Sequence, residues 1–264
     1  MSRISETFAK LRQSGRKGLI IYLTAGYPDM AAALEAALAA EEAGADLIEI
    51  GIPFSDPMAD GPVIQKASAA ALKQGATTGK ALGLIGKIRE RSQIPLAAMT
   101  YINPVLHYGP EKFLADGAAA GMDGLIVPDL PLEEGALLAA PCQGAGIDLI
   151  QFVAPTTSAE RMRSVCQKAA GFLYCISTTG VTGVRQLDYR QIGDTIAGVR
   201  RHADIPAAIG FGIGSARAAR EAAQHADAVI VGSAVMQALM DQGIPAMQSL
   251  IRAMRQGLDE GKGA

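Results

Sequence analysis

A short apolar run followed by a longer alanine-rich segment recurs along this chain, and this alternation limits the possible fold more than any other feature. The runs are too short for helices and rich in Ile, Leu and Val, as expected for parallel strands buried on both faces. They occupy residues 18–24, 46–51, 95–101, 124–127, 147–153, 172–176, 206–210 and 226–231. Eight strand–helix units in 264 residues predict an α/β fold, specifically a (β/α)8 TIM barrel. An open doubly wound sheet is the alternative.

Residues typical of helix starts separate these runs. Pro62 and Pro110 stand at plausible first helical positions, and Ser215 can cap the segment that follows it. Thr157 and Glu160 have the spacing of a capping box. The predicted helices therefore fall between the predicted strands.

The spacing of the units predicts where the chain has room for extra structure. The second βα connection, between residues 51 and 95, and the sixth, between 176 and 206, are long. Long βα loops in barrels are usually functional. Ile4, Phe8 and Leu11 have helical spacing and predict an extra N-terminal helix, and no linker divides the chain. We therefore expect residues 1–264 to form a single barrel domain.

Composition excludes several classes of function. The net charge of −2, without a basic block, argues against a nucleic-acid partner, and no apolar segment is long enough to predict a membrane span. Three cysteines without CxxC spacing suit reduced thiols in a cytoplasmic protein, and three scattered histidines predict no metal site. A small-molecule or protein partner is favoured.

Glu49 interrupts the second apolar run with a charge. Because side chains alternate along a strand, Ile48 and Ile50 share one face, which suits the helix layer, and Glu49 points into the barrel. A carboxyl held there is desolvated, which raises its pKa as general acid/base catalysis requires. No predicted strand supplies a cation to pair with it, so catalysis is favoured over a structural ion pair.

Asp60 follows in the same long loop, where it either caps the next helix or joins Glu49 in the chemistry. Schiff-base cleavage needs a lysine at a strand end, but the central lysines fall in predicted helices, and metal-assisted cleavage lacks histidines. Proton transfer by carboxylates remains. It can break a carbon–carbon bond only if the substrate supplies the electron sink, and isomerisation is the other possibility.

Glycine-rich turns late in the chain predict a phosphate site. GFGIGS at 210–215 and GSA at 232–234 follow the last two strands and open helices, whose backbone N–H groups bind anions. GVTGV at 180–184 follows the sixth strand and resembles a lid loop as much as an ordinary flexible one. Together the three turns favour a phosphorylated substrate.

The motifs together resemble one family. LIEIGIPFSDPMADGPVIQ, with YLTAGYP at 22–28, MTYINPV at 99–105, VPDLP at 127–131, STTGVTG at 177–183, GFGI at 210–213 and VGSA at 231–234, closely resembles the tryptophan synthase alpha chain family. The resemblance implies a (β/α)8 barrel that cleaves indole-3-glycerol phosphate to indole and glyceraldehyde 3-phosphate. The indole ring would then be the required electron sink.

The resemblance also implies roles for individual residues. Glu49 matches the acid/base glutamate of the family, and Asp60 matches the aspartate that binds the indole N–H. Asp129, at a strand end, matches a residue that orients loops. Similarity implies that the indole and the phosphate are bound by Tyr22, Tyr101, Val153, Tyr174, Thr182, Gly183, Phe211, Gly212, Gly232 and Ser233.

Family members work with a PLP-dependent beta chain, so the resemblance implies an alpha2beta2 heterotetramer and no cofactor in this chain. Pro53, Asp56 and the loop 104–108 would face that partner. Thr178 and Tyr22 depart from some members, which carry arginine and phenylalanine there. A phosphosugar isomerase, a non-catalytic subunit that gates a beta chain, and a free-standing indole-producing lyase remain alternatives.

Overall fold

The computed structural model describes residues 2–176, 189–210 and 212–260. Within them, parallel strands form one sheet in the order β5-β4-β3-β2-β1-β9-β8-β7-β6. The strands are β1 Gly18–Thr24, β2 Leu47–Gly51, β3 Leu96–Met99, β4 Gly124–Ile126, β5 Asp148–Leu149, β6 Gln151–Val153, β7 Leu173–Ile176, β8 Ala207–Gly210 and β9 Ala228–Val231. Each predicted run contains at least one of them.

The sheet closes on itself at its fifth position. Its two end strands, β5 and β6, belong to one predicted run and are separated only by Ile150. The Ile150 N–H donates to the Leu125 carbonyl at 2.9 Å, so this residue continues the pairing with β4, while β6 pairs with β7. The fifth predicted run therefore pairs with β4 up to Ile150 and with β7 after it. The predicted (β/α)8 barrel is confirmed, with its fifth strand in two pieces.

Helices surround the strands. They are α1 Arg3–Gln13, α2 Met30–Glu42, α3 Pro62–Lys73, α4 Thr78–Arg89, α5 Ile102–Tyr108, α6 Pro110–Ala119, α7 Ala136–Ala145, α8 Ala159–Lys168, α9 Tyr189–Arg200, α10 Ala216–Ala223 and α11 Ser233–Glu260. Helix α11 is broken at Gly243, where φ is +76°. The second connection holds two helices, α3 and α4, which are the extra structure that its length predicted. Among the described residues, no helix combines the length and apolarity needed to cross a bilayer.

Most predicted helix starts are confirmed. Pro62 and Pro110 stand in the first turns of α3 and α6, and the Ser215 side chain accepts from the Ala218 N–H. The predicted capping box at Thr157 is wrong. Ser158 caps α8 by accepting from the Arg161 N–H, because the Thr157 hydroxyl accepts from the Ala154 N–H in the preceding turn.

The predicted N-terminal helix, α1, lies against the barrel. Its buried face carries Ile4, Phe8 and Leu11, and the Phe8 ring lies 5.8 Å from that of Phe172 just before β7. Arg3 pairs with the buried Asp123 at 2.9 Å. The helix therefore covers the end at which the strands begin, which leaves the opposite end for loops that build a site.

Candidate active site

Glu49 is fully buried on β2, with its neighbours set by the sheet register. Strand β2 pairs with β1 and β3 so that Glu49 lies between Tyr22 and Ala97. Among the described residues, neither Glu49 carboxyl oxygen has a hydrogen-bond partner. Burial raises the pKa of Glu49 from 4.5 to about 8. The carboxyl is therefore protonated at neutral pH and can donate that proton.

The side chain of Glu49 faces the interior, as strand alternation predicts. Burial raises the pKa of Tyr174 on β7 well above its usual value, and the charge of Glu49 adds to this effect. The pKa of Tyr22 on β1 rises in the same way, chiefly through burial, then through the charge of Asp60, with Glu49 contributing. Side chains from separate strands therefore share one space with Glu49.

Asp60 lies in the loop that joins β2 to α3, and only 4% of its surface is exposed. Burial raises the pKa of Asp60 from 3.8 to about 6, against the opposing effect of a hydrogen bond with Tyr101. Gly61 is the N-cap of α3, so Asp60 does not cap this helix. Its Oδ1 atom is buried and has no partner among the described residues. Two carboxyls with differently raised pKa values therefore lie at one end of the barrel.

The loop that carries Asp60 is held on both sides. The Tyr101 hydroxyl accepts from the Ala59 N–H at 3.0 Å, and the Phe54 ring packs 5.5 Å from the Tyr101 ring. Gln65 Nε2 donates to the Asp60 carbonyl at 2.8 Å. The sequence arguments missed Phe54 and Gln65. The sequence signal that could have identified Gln65 was its position in the first turn of α3, directly after the loop.

Asp129 supports the same region from the neighbouring loop. Its carboxylate accepts from the N–H of Ile102, the first residue of α5. Tyr101, the residue that bonds to the Asp60 loop, is the N-cap of that helix. Asp129 therefore fixes the backbone beside Tyr101, which agrees with the loop-orienting role that the resemblance implies.

Two glycines make room for the buried tyrosines. A Cβ atom on Gly51 would lie 2.0 Å from the Tyr22 hydroxyl oxygen, and one on Gly210 would lie 2.3 Å from Cε1 of Tyr174. In each case the glycine lies two residues beyond the tyrosine's register partner on the neighbouring strand. Both rings therefore lean over the end of the next strand, into the mouth of the barrel.

The register corrects the expectation for Val153. Phe152 pairs with Tyr174, and their rings are 5.1 Å apart, whereas Val153 pairs with Cys175. Because side chains alternate, Val153 is buried on the other face of the strand and Phe152 shares the interior with Tyr174. Phe152, not Val153, is the pocket residue on this strand. A one-residue slip in the assignment moves a side chain to the opposite face.

The described residues that are expected to bind phosphate lie in the turns that lead into the last two helices. Gly212 follows β8 with φ +78°, and Gly232 and Ser233 lie at the start of α11. A Cβ atom on Gly232 would lie 3.4 Å from Cβ of Tyr22, which puts this turn beside the pocket. Thr182, Gly183 and Phe211 lie outside the described residues. In the described ranges, no group of three or more His, Cys, Asp or Glu side chains could hold a metal ion.

Comparisons with known proteins point to one family. The family model described as "Tryptophan synthase alpha chain" matches residues 8–260. The tryptophan synthase alpha chain of Synechococcus elongatus is 46% identical over 260 residues, covering 98% of both chains, and that of Roseiflexus castenholzii is 48% identical over 240 residues, covering 90% of this chain and 92% of the other.

Solved structures point to the same family. Tryptophan synthase subunit alpha from Legionella pneumophila has a TM-score of 0.92 at 34% identity, covering 98% of this chain and 99% of the other. A chain of tryptophan synthase from Mycobacterium tuberculosis, in an aminoacrylate-bound form, has a TM-score of 0.90 at 37% identity, covering 98% and 100%. The similarity therefore extends over the full barrel.

Proposed function

Because the chain belongs to the tryptophan synthase alpha chain family, we propose that Glu49 carries out the proton transfers of its reaction and that Asp60 stabilises the charge on the substrate ring. The chain is a lyase that cleaves indole-3-glycerol phosphate in tryptophan biosynthesis. The observation that supports these roles is the pair of buried carboxyls, with pKa values raised to about 8 and about 6. Near pH 7 the first is an acid and the second a base.

The proposed mechanism begins with Glu49. Its proton is transferred to C3 of the indole ring, which becomes a cationic indolenine, and Asp60 accepts a hydrogen bond from the ring N–H and stabilises the positive charge. The Glu49 carboxylate then removes the proton of the side-chain hydroxyl next to the ring. As that oxygen becomes the aldehyde of glyceraldehyde 3-phosphate, the carbon–carbon bond breaks and its electrons return to the ring. Indole leaves and Glu49 is protonated again.

The burial of both carboxyls favours these steps. Burial keeps the proton on Glu49 near pH 7, and the desolvated carboxylate that remains after its transfer is a strong base for the hydroxyl proton in the next step. Tyr22, Tyr101 and Tyr174 supply aromatic surface for the ring. The rate should be highest between the two pKa values, because Asp60 must be ionised and Glu49 protonated. We expect kcat/KM to fall below about pH 6 and above about pH 8.

We assign the phosphate to the two late turns. Gly212, Gly232 and Ser233 stand where backbone N–H groups at the starts of α10 and α11 can bind the phosphate oxygens. Thr182 and Gly183 are proposed to close over the substrate, and Phe211 to line the ring pocket. A phosphate held at this end of the barrel would fix the substrate's position relative to Glu49.

Membership of the family means that this chain uses no cofactor and that PLP belongs to the beta chain. We propose that a beta chain docks on the loop ends of the barrel, in an alpha2beta2 heterotetramer that receives the indole. Two large apolar side chains support this surface: Met58 in the β2 loop is 82% exposed and Leu106 on α5 is 48% exposed. Pro53 and Asp56 belong to the same loop as Met58. Changing Met58 to Glu should weaken the complex without changing the fold of the free chain.

We also propose a cytoplasmic location. The three cysteines, Cys142, Cys166 and Cys175, are free and buried, which fits a reducing compartment. The substrate and the proposed partner are expected to meet the chain there.

The experiment that tests the proposal measures release of indole from indole-3-glycerol phosphate, with and without a beta chain. Wild type is compared with Glu49→Gln and Asp60→Asn, and with Glu90→Gln, which changes the exposed C-cap residue of α4. We expect a loss of about 100-fold or more in the first two variants and wild-type rates in the third. Wild-type activity of Glu49→Gln would exclude its catalytic role. Strong acceleration by the beta chain would support the heterotetramer, and high activity of the chain alone would contradict it.

A further inference from the structure

Asp60 is followed by Gly61, so its position needs support from outside the loop. Glycine restricts the backbone less than any other residue, and the peptide group between Asp60 and Gly61 can therefore rotate unless a bond holds it. Within the loop, the Asp60 N–H donates to the Pro57 carbonyl at 3.1 Å. This bond fixes the nitrogen side of Asp60 and leaves its carbonyl side to be held by another element.

Gln65, in the first turn of α3, holds that carbonyl. Its Nε2 atom donates to the Asp60 carbonyl oxygen at 2.8 Å. Because a carbonyl oxygen can only accept, the amide nitrogen of Gln65, and not its amide oxygen, must face Asp60. The backbone N–H of Gln65 donates to the Gly61 carbonyl at 3.0 Å. Gln65 is therefore bonded to the peptide groups on both sides of Gly61.

These bonds involve the backbone of Asp60 and leave its carboxyl for the substrate. The Oδ1 atom is buried and has no hydrogen-bond partner in the described part of the chain. Gln65 is exposed and does not belong to the buried core. Loss of its side-chain amide should therefore affect the geometry of the site more than the stability of the fold.

We propose that Gln65 is a positioning residue for the reaction, because it fixes the backbone from which the Asp60 carboxyl reaches the substrate ring. This inference rests on the proposed role of Asp60. A carboxylate that stabilises charge in the transition state must already be in place, since an error of about 1 Å can cost about 100-fold in rate. Gln65 provides this support from a helix, which positions a group more precisely than a loop does.

The test compares indole release by wild type, Gln65→Met and Gln65→Glu. Methionine has a similar length and no donor, and glutamate keeps the shape of glutamine but has an oxygen in place of the donor. Glutamate is also favourable in the first turn of a helix, so this variant should fold even if methionine disturbs the turn. Both variants should melt within about 4 °C of wild type.

The two kinetic constants should respond differently. We expect kcat to fall about tenfold or more in both variants, with KM within about twofold of wild type, because Asp60 acts on charge that develops in the transition state. Gln248→Met is the matched control. It removes the bond from Gln248 on α11 to the Ala39 carbonyl, 3.2 Å long and outside the site, and should keep the wild-type kcat.

A double mutant shows whether Gln65 acts through Asp60. If it does, adding Gln65→Met to Asp60→Asn should lower kcat/KM by less than about twofold. A wild-type kcat in Gln65→Met, or the same fold loss with and without the Asp60 carboxylate, would overturn the inference and leave the proposed function standing. If Asp60→Asn alone released indole at the wild-type rate, the proposed role of Asp60 would fail, and the inference with it.

Discussion

Replacing Glu49 by glutamine should stabilise the protein, and the gain should grow with pH. The folded protein holds the proton of Glu49 with a pKa of about 8, against 4.5 for an ordinary glutamate. Between these values the unfolded chain is ionised and the folded chain is not, so the stabilisation from neutral Glu49 is complete below pH 4.5 and is lost as the pH rises. At about 1.4 kcal/mol per pKa unit, the loss is roughly 3 kcal/mol at pH 7 and roughly 5 kcal/mol above pH 8.

Glutamine has nearly the same shape and no charge, so Glu49→Gln removes this dependence on pH. Urea denaturation of both proteins at pH 5, 7 and 9 measures the effect. The free energy of unfolding of the variant, minus that of wild type, should rise by roughly 4 kcal/mol across the series. Glu90→Gln, at the exposed end of α4, should differ from wild type by less than about 0.5 kcal/mol at every pH.

A difference between Glu49→Gln and wild type that stays constant from pH 5 to pH 9 would refute the reasoning. It would mean that Glu49 ionises at an ordinary pKa in the folded protein. The role of Glu49 as an acid at neutral pH would then fail with it, because the same burial supports both conclusions.

Two further predictions concern the framework around the carboxyls. Gly51→Ala places a Cβ atom 2.0 Å from the Tyr22 hydroxyl oxygen. It should lower the free energy of unfolding by about 1–3 kcal/mol and kcat/KM by at least about 100-fold. The control is Gly83→Ala, which has open space on an exposed turn of α4 and should be neutral or stabilising in thermal melts. Asp129→Ala removes the bond to the Ile102 N–H and should lower kcat about tenfold in the indole assay; an unchanged kcat would show that α5 holds its start without Asp129.

Local periodicity was sufficient to predict much of this fold. Buried parallel strands are continuous apolar runs, so their positions could be read directly from the sequence, and alternation then predicted the orientation of Glu49. The starts of α10 and α11 after the last two strands could likewise be predicted from Gly-rich turns. The single-domain organisation of residues 1–264 stays a prediction.

What the sequence could not predict depends on contacts between strands. The need for glycine at position 51 arises only because β1 and β2 pair in a register that sends the Tyr22 ring across it. The pKa of Asp60 depends on burial and on the opposing effect of Tyr101, which comes from another strand end. The error at Val153 has the same origin, since a motif match locates a strand but the inward face is fixed by the pairing with β7.

Helix α1, which covers the bottom of the barrel, also has a consequence for the order of assembly during synthesis. It is synthesised before every strand of the barrel, yet its contacts are with residues made much later: Arg3 with Asp123, Phe8 with Phe172, and Arg12 with Asp204. Such distant contacts form late, because the intervening chain must be ordered first. The apolar face of α1 therefore waits, uncovered, until most of the barrel exists, which makes this helix the part of the nascent chain most in need of protection.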